Sequence, residues 1–383
     1  MAVSNSSSSR GNSISGHPAE SRSIKIGIDG RLFSAHRTGI GRYVVELSRC
    51  LDRLLPNASF VARSPWPIEL PPISDRWTLQ TDRVWPLKLG SSVWFKLRTG
   101  AMCAKDKIDV YWGGYGQLPF LPKSTRGLLS VYDLNRFVVP HTMTLRSRIS
   151  QALWLNGDLR RADAVVAISA GTADRLKKYF GIAGAAVVRP AVSEQFRPQD
   201  SETVARVIAK YRLMRPYYLA VATWEPRKNL ALLIDVFHEL LRAGQIGDHS
   251  LVLVGGRGWK DKRIAKLFAK YGPDNLRAVG FVPDSDLAAL YAGSTALVFP
   301  SLYEGFGIPV LEARACGANV VTTDLPELRE AGGTHAIYIQ PTREGIADGL
   351  LRATQLDCAR DTEIWSWEDS ARALASLLLS QSA

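Results

Sequence analysis

A chain of 383 residues with 46% hydrophobic residues can bury two cores, and a single domain of this length would be unusually large. Its four cysteines, Cys50, Cys103, Cys316 and Cys358, are scattered without a C-x2-C pair or a histidine cluster, which argues against a disulfide framework or a zinc site and fits a reducing, cytoplasmic compartment. The net charge of +12 is polarised: residues 1–190 carry 27 Lys and Arg against 13 Asp and Glu, the remainder 21 against 23, so an anionic partner is expected for the first half.

Residues 1–23 are rich in Ser, Gly and Asn and lack the apolar stretch of a secretion signal, so they read as a disordered tail. No later run approaches the roughly 18 apolar residues of a membrane span. Ile24 to Asp29 reads as a strand; Thr38-Gly39-Ile40-Gly41-Arg42-Tyr43 then leads into the helical pattern Val44, Leu47, Leu51, Leu54. Strand, glycine loop and helix in that order form a phosphate-cradle layout.

Two stretches suit an interfacial helix on an anionic membrane surface. One interleaves Trp94, Phe95 and Leu97 with Lys88, Lys96, Arg98, Lys105 and Lys107; the other repeats Leu145, Ile149 and Leu153 beside Arg146 and Arg148. The same stripes also fit ordinary packing against a sheet. Strands are predicted at 108–112, 127–133, 164–169 and 187–192, and strands alternating with helices mean a doubly wound sheet. The Ser, Gln and Pro stretch from Ser193 to about Asp200 marks a boundary.

A second Rossmann-like unit follows, with strands at 217–222, 250–255, 276–281, 296–299 and 319–323. After its first strand comes Trp224-Glu225-Pro226-Arg227-Lys228-Asn229-Leu230, which places Arg227 and Lys228 where fixed cations could neutralise a departing diphosphate. Asp284-Ser285-Asp286 has the D-x-D spacing of metal–diphosphate sites, but before a helix its acids are read as caps of N-terminal amides. Residues 301–317 place Glu304 and Glu312 eight positions apart across the turn Gly305-Phe306-Gly307 after an apolar strand. Glycines let the backbone approach a ligand, and a helix opening there offers N–H groups to a phosphate. Two acceptor carboxylates beside an anion site suit a sugar nucleotide. Ser366 and Asp369 form a capping box for a last helix, Trp367 to Leu379.

The segment from Glu304 to Glu312 resembles the E-x7-E signature of the retaining family-four glycosyltransferases of GT-B architecture, and Glu225-Pro226-Arg227-Lys228-Asn229 resembles a second segment of that family. The resemblance implies two Rossmann-like parallel-sheet domains facing a cleft: an acceptor domain over 24–198, a nucleotide-sugar domain over 199–363, and a terminal helix over 364–383 packing back across both. It implies that Gly39 and Gly41 face the donor phosphates, that Lys228 and Arg227 contact them, that Glu304 holds sugar hydroxyls and Glu312 the ribose, and that the backbone at Val282 lines the nucleobase pocket. Val131-Tyr132-Asp133-Leu134 resembles a Val-His-Asp-Leu segment, with Tyr132 where relatives place a histidine near the sugar. Tyr132 becomes a sugar-contact candidate, and Asp133 a base or positioning group for the acceptor hydroxyl. Many relatives carry arginine at Ala222, which leaves Arg227 to supply a second cation.

The implied activity is metal-independent, cofactor-free retaining transfer of a hexose, mannose or a related deoxyhexose, from a GDP- or dTDP-sugar to a lipid-linked or lipopolysaccharide-type glycan, either in the cytoplasm or peripherally on the membrane's inner face. Glu304 as a covalent nucleophile is the mechanistic alternative. A GT-B sugar-nucleotide 2-epimerase and a basic nucleic-acid-binding protein are the functional ones; the chain lacks RNA-binding signatures, so no nucleic-acid partner is expected.

Overall fold

The computed structural model describes residues 23–33, 39–69, 73–82, 91–256, 258, 262–334, 336–356 and 364–380. Most of the expected tail, Thr38, Lys88, Cys358 and the side chain of Arg146 lie outside the described residues.

In the first half, β1 (Lys25–Asp29), α1 (Gly39–Leu54), β2 (Ser59–Ser64), β3 (Trp77–Thr81), α2 (Ser91–Lys105), β4 (Val110–Gly113), β5 (Arg126–Val131), the one-turn α3 (Asn135–Val138), α4 (Leu145–Arg161), β6 (Ala164–Ala167), α5 (Ala170–Phe180) and β7 (Ala186–Val187) follow in turn. The second half contains α6 (Ser201–Lys210), β8 (Tyr217–Val221), α7 (Leu230–Arg242), β9 (Ser250–Val254), α8 (Lys262–Tyr271), β10 (Leu276–Gly280), α9 (Asp284–Gly293), β11 (Ala296–Phe299), α10 (Ile308–Ala315), β12 (Val320–Thr323), α11 (Pro326–Gly332), β13 (Ile337–Ile339), α12 (Arg343–Ala353) and α13 (Trp367–Leu379).

Among the described residues, the strands form one sheet of order β3-β2-β1-β4-β5-β6-β7 and a second of order β10-β9-β8-β11-β12-β13. Every registered pair is parallel. Continuous apolar runs such as Ala296-Leu297-Val298-Phe299, wholly buried, fit strands covered by helices on both faces. Strand order reverses between β1 and β4 and again between β8 and β11, and ligands of open α/β sheets bind beyond the strand ends at such switch points.

Local signals set several boundaries. Ser169 caps α5 by accepting from Thr172 N–H, and Gly181 ends it in the left-handed region. The capping box of α13 is present, and that helix packs along α1, with Arg126 of β5 donating to its last carbonyls.

Four expectations need correction. The strand anticipated over 187–192 pairs only at Ala186–Val187, because Pro190 has no N–H to continue the ladder. Asp284 and Asp286 do not cap α9, whose N-cap is Pro283 without a side-chain bond; they bind Arg42 and Lys210 instead. Trp94 and Phe95 face the core of the first domain. Lys96 is buried too, its Nζ 2.6 Å from Asp158 Oδ1, so of the apolar and basic residues expected on the outer face of α2 only Leu97, Arg98 and Lys105 are exposed.

Candidate active site

The two switch points face each other across a cleft of about 510 Å³. At the second, the loop after β8 carries Arg227 and Lys228, the loop after β11 carries Glu304, and Leu302 N–H donates to Arg227 C=O at 2.8 Å to tie the loops together. Glu304 is 6% exposed. Arg227 Nη1 lies 2.5 Å from its Oε2 and Lys228 Nζ 2.7 Å from its Oε1. Burial alone would raise this carboxyl, but the Arg227 and Lys228 charges outweigh it and hold the group down at about 2. Burial lowers Lys228 from the usual ammonium range, against the pull of Glu304. Each partner therefore limits the cost of desolvating the other.

Two glycines make the approach possible. A Cβ on Gly305 would lie 1.7 Å from the Tyr132 carbonyl oxygen, so the β11 loop touches the first domain backbone to backbone. Its carbonyl accepts from Ser169 Oγ at 2.7 Å and Thr172 Oγ1 at 3.1 Å, and Tyr303 Oη accepts from Leu134 N–H at 3.0 Å. Gly307 has φ +102°, and a Cβ there would strike Leu328; it is the N-cap of α10. Pro309 in the first turn of α10 removes one of the N–H donors expected there.

Glu312, two turns on, is 3% exposed. Arg42 from α1 binds its Oε1, and Tyr291 Oη donates to its Oε2 at 3.0 Å. Burial pushes the Glu312 carboxyl up to about 7 despite both partners. Arg42 also reaches Asp284 at 2.6 Å, so one side chain of the first domain bridges two carboxylates of the second. Arg175 with Glu327 and Arg189 with Glu330 are further cross-domain pairs.

The cleft brings together every catalytic and donor-binding candidate from the sequence except Gly41, which lies buried on the inner side of α1's first turn. Gly39 faces Ile308 at the start of α10, and Val282 lines the wall opposite. Tyr132 lines the cleft but donates its hydroxyl to Gly114 C=O, and burial raises that phenol well above its ordinary value. Asp133 accepts from Asn135 N–H at 3.2 Å, a local turn bond; burial raises its carboxyl, opposed chiefly by Arg227. Sequence reasoning passed over Arg42 and Glu225. Arg42 had a signal: a cation in the first turn of a helix sits against the dipole and needs another reason to be there. Glu225 lines the cleft, 3.6 Å from Arg227, with an unbonded buried oxygen.

Two facing doubly wound units with this cluster at the second switch point define the GT-B architecture. A family model described as "Glycosyltransferase Family 4" matches residues 37–196, and one described as "Glycosyl transferases group 1" matches 203–360. The chain thus carries a family-four and a group-1 glycosyltransferase domain in a family-four-like GT-B arrangement. It is 28% identical to O-antigen chain mannosyltransferase B of Escherichia coli, over 85% of this chain and 89% of that protein. It is 36% identical to the serotype-specific mannosyltransferase WbdA of Escherichia coli over 48% of this chain, but covers only 23% of that longer protein. Among solved structures, it resembles sucrose-phosphate synthase of Thermosynechococcus elongatus (TM-score 0.70, 20% identity, 93% and 95% of the two chains covered). It also resembles WaaG, a lipopolysaccharide-biosynthesis glycosyltransferase (0.67, 16%, 92% and 95%).

Proposed function

We propose that this glycosyltransferase moves mannose, or a related deoxyhexose, from its GDP- or dTDP-sugar to a lipid-linked or lipopolysaccharide-type glycan, with retention of anomeric configuration and without a metal. The observation that carries the reading is Glu304 held between Arg227 and Lys228 at the C-terminal ends of two adjacent strands. The mannosyl and O-antigen terms rest on the printed activities of the E. coli relatives.

The donor's diphosphate takes over Lys228 and Arg227, assisted by the N-terminus of α1, and the freed Glu304 oxygens accept hydrogen bonds from the sugar hydroxyls. Glu312 accepts from the ribose, and the Val282 backbone borders the base. As the glycosidic bond lengthens, charge builds on the leaving diphosphate, so cations already fixed in a desolvated cleft favour the transition state over the ground state. A carboxylate held at about 2 is a weak nucleophile, which favours hydroxyl binding over covalent catalysis by Glu304. The acceptor hydroxyl then attacks from the face the diphosphate leaves, with Asp133 positioned to take its proton. Asp284 and Asp286 are committed to Arg42, Lys210 and Tyr211, which supports cations rather than a D-x-D metal at the diphosphate.

Among the described residues no helix is long and apolar enough to cross a membrane. Exposed Leu145, Ile149 and Leu153 recur every four residues along α4 beside exposed Arg148, a stripe suited to the inner membrane surface. Screening nucleotide sugars by thermal shift, then assaying transfer with EDTA present, tests the reading. GDP-mannose or a deoxyhexose donor should stabilise the protein and EDTA should change little. No stabilisation by any activated sugar would refute it, and strict metal dependence would refute the metal-free account.

A further inference from the structure

A second cavity of about 170 Å³ lies in the first domain against the cleft just described, and Ile40, Tyr132 and Asp133 line both spaces. It holds about a dozen water-sized spheres at roughly 10–15 Å³ each, the scale of a single sugar ring. Its lining has a definite chemistry. Gln117, from the loop after β4, and Gln151, on α4, each present a buried side-chain amide oxygen that has no hydrogen-bond partner among the described residues. Buried acceptors left unpaired are costly, and two of them in one cavity call for a ligand rich in hydroxyl donors.

The aromatic residues agree with that. Trp154 on α4 and Tyr115 line the same space, and each ring has a cation set over it. Lys96 Nζ lies 5.2 Å from the Trp154 ring centroid and the Arg31 guanidinium 5.3 Å from that of Tyr115. Both cations are themselves held by buried carboxylates, Lys96 by Asp158 and Arg31 by Asp29. The two interior ion pairs, which the donor site does not use, thus fix the positions of the rings. Flat aromatic surface suits the C–H face of a pyranose, and Asp133, the only charged lining side chain among the described residues, disfavours an anion.

We propose that this cavity is the subsite for the acceptor's terminal, uncharged hexopyranosyl unit, with Gln117 and Gln151 accepting from its hydroxyls, Trp154 and Tyr115 covering its ring, and the reactive hydroxyl emerging past Asp133 toward Glu304. The assignment deepens the transferase reading and rests on it. The opposite face of α4 carries the exposed Leu145, Ile149 and Leu153 stripe, so one helix would present a glycan inward and apolar surface outward.

The test uses the full chain and methyl glycosides of mannose, glucose, galactose and rhamnose as probes. Binding is followed by saturation-transfer NMR and transfer by nucleoside diphosphate release, while donor affinity is measured separately by calorimetry. Gln151→Leu, close in volume and without the amide oxygen, should raise the glycoside KM about fivefold, the worth of one neutral hydrogen bond of about 1 kcal/mol; Trp154→Ala should raise it at least tenfold. Donor Kd should stay within twofold of wild type in both. Glycoside binding to neither wild type nor variants, or an unchanged glycoside KM in Gln151→Leu, overturns the assignment. Failure of every donor to bind instead overturns the transferase reading, so the two failures are separable.

Discussion

Replacing Glu304 by glutamine keeps the shape of the site and removes the carboxylate that bridges Arg227 and Lys228, so its effect follows from the charges. The Glu304 carboxyl drops from an ordinary 4.5 to about 2 in the folded protein, which corresponds to about 3 kcal/mol of stabilisation. Spread over a unit of this size, that loss should lower the melting temperature by roughly 6–12 °C at pH 7. The sign with pH is fixed. A depressed carboxyl stabilises above its unfolded value and loses that contribution as pH falls through the folded one, so the gap between wild type and Glu304→Gln should stay flat from pH 8 to about 4.5 and narrow below. A nucleoside diphosphate supplies the missing anion, so GDP should recover more melting temperature in the variant than in the wild type, even though transfer is lost. The assay is differential scanning fluorimetry with and without GDP, supported by urea unfolding across pH. Equal melting temperatures at pH 7, or equal GDP shifts in the two proteins, would refute the charge argument.

Three further outcomes can be checked. Between pH 5 and 8 the wild-type urea midpoint should fall relative to that of Glu312→Gln, because an acid raised to about 7 stabilises most below its unfolded value and loses that as pH rises through the folded one; parallel curves would contradict this. Gly305→Ala places a methyl where the Tyr132 carbonyl stands, so the β11 loop must withdraw. X-ray scattering should then show a larger radius of gyration and transfer should fall at least a hundredfold, whereas an unchanged profile with normal turnover would disprove the close approach. Lys228→Ala should cut turnover by about 10²–10³, and near-wild-type kcat would remove Lys228 from the leaving-group site.

What could be read from the residues was what short-range physics decides. The helix Trp367–Leu379 matched its predicted ends because a Ser-x-x-Asp box and an apolar stripe are both local. The turn after β11 was legible because few sequences put two glycines and a proline between an apolar strand and a helix. β2 was missed because Ser-Phe-Val-Ala-Arg-Ser carries a cation in a strand; Arg63 is tolerated there because Asp106, 43 residues on, pairs with it. The burial of Lys96 depends on Asp158, 62 residues away. Arg42 pairs with residues 242 and 270 positions distant, and no window along the chain contains both partners. Gln117 and Gln151 gave no signal at all, since an amide becomes informative only when its oxygen is found buried and unpaired.

Within the cleft, the cations proposed to receive a diphosphate have a carboxylate partner, Arg227 and Lys228 both on Glu304, and Arg42 across the cleft is likewise paired, with Glu312 and Asp284. Donor binding on the proposed mechanism is therefore an exchange of partners. The diphosphate replaces Glu304 at the cations, and hydroxyls replace the cations at Glu304, so neither buried charge is stranded at any stage. Arg42 extends the exchange to the domains themselves, because it stands on α1 while both its partners stand on the other domain. On the proposed mechanism, engaging Glu312 with a ribose would compete with that bridge, and loosening one of three described cross-domain ion-pair clusters would couple occupancy of the nucleotide site to how tightly the domains close.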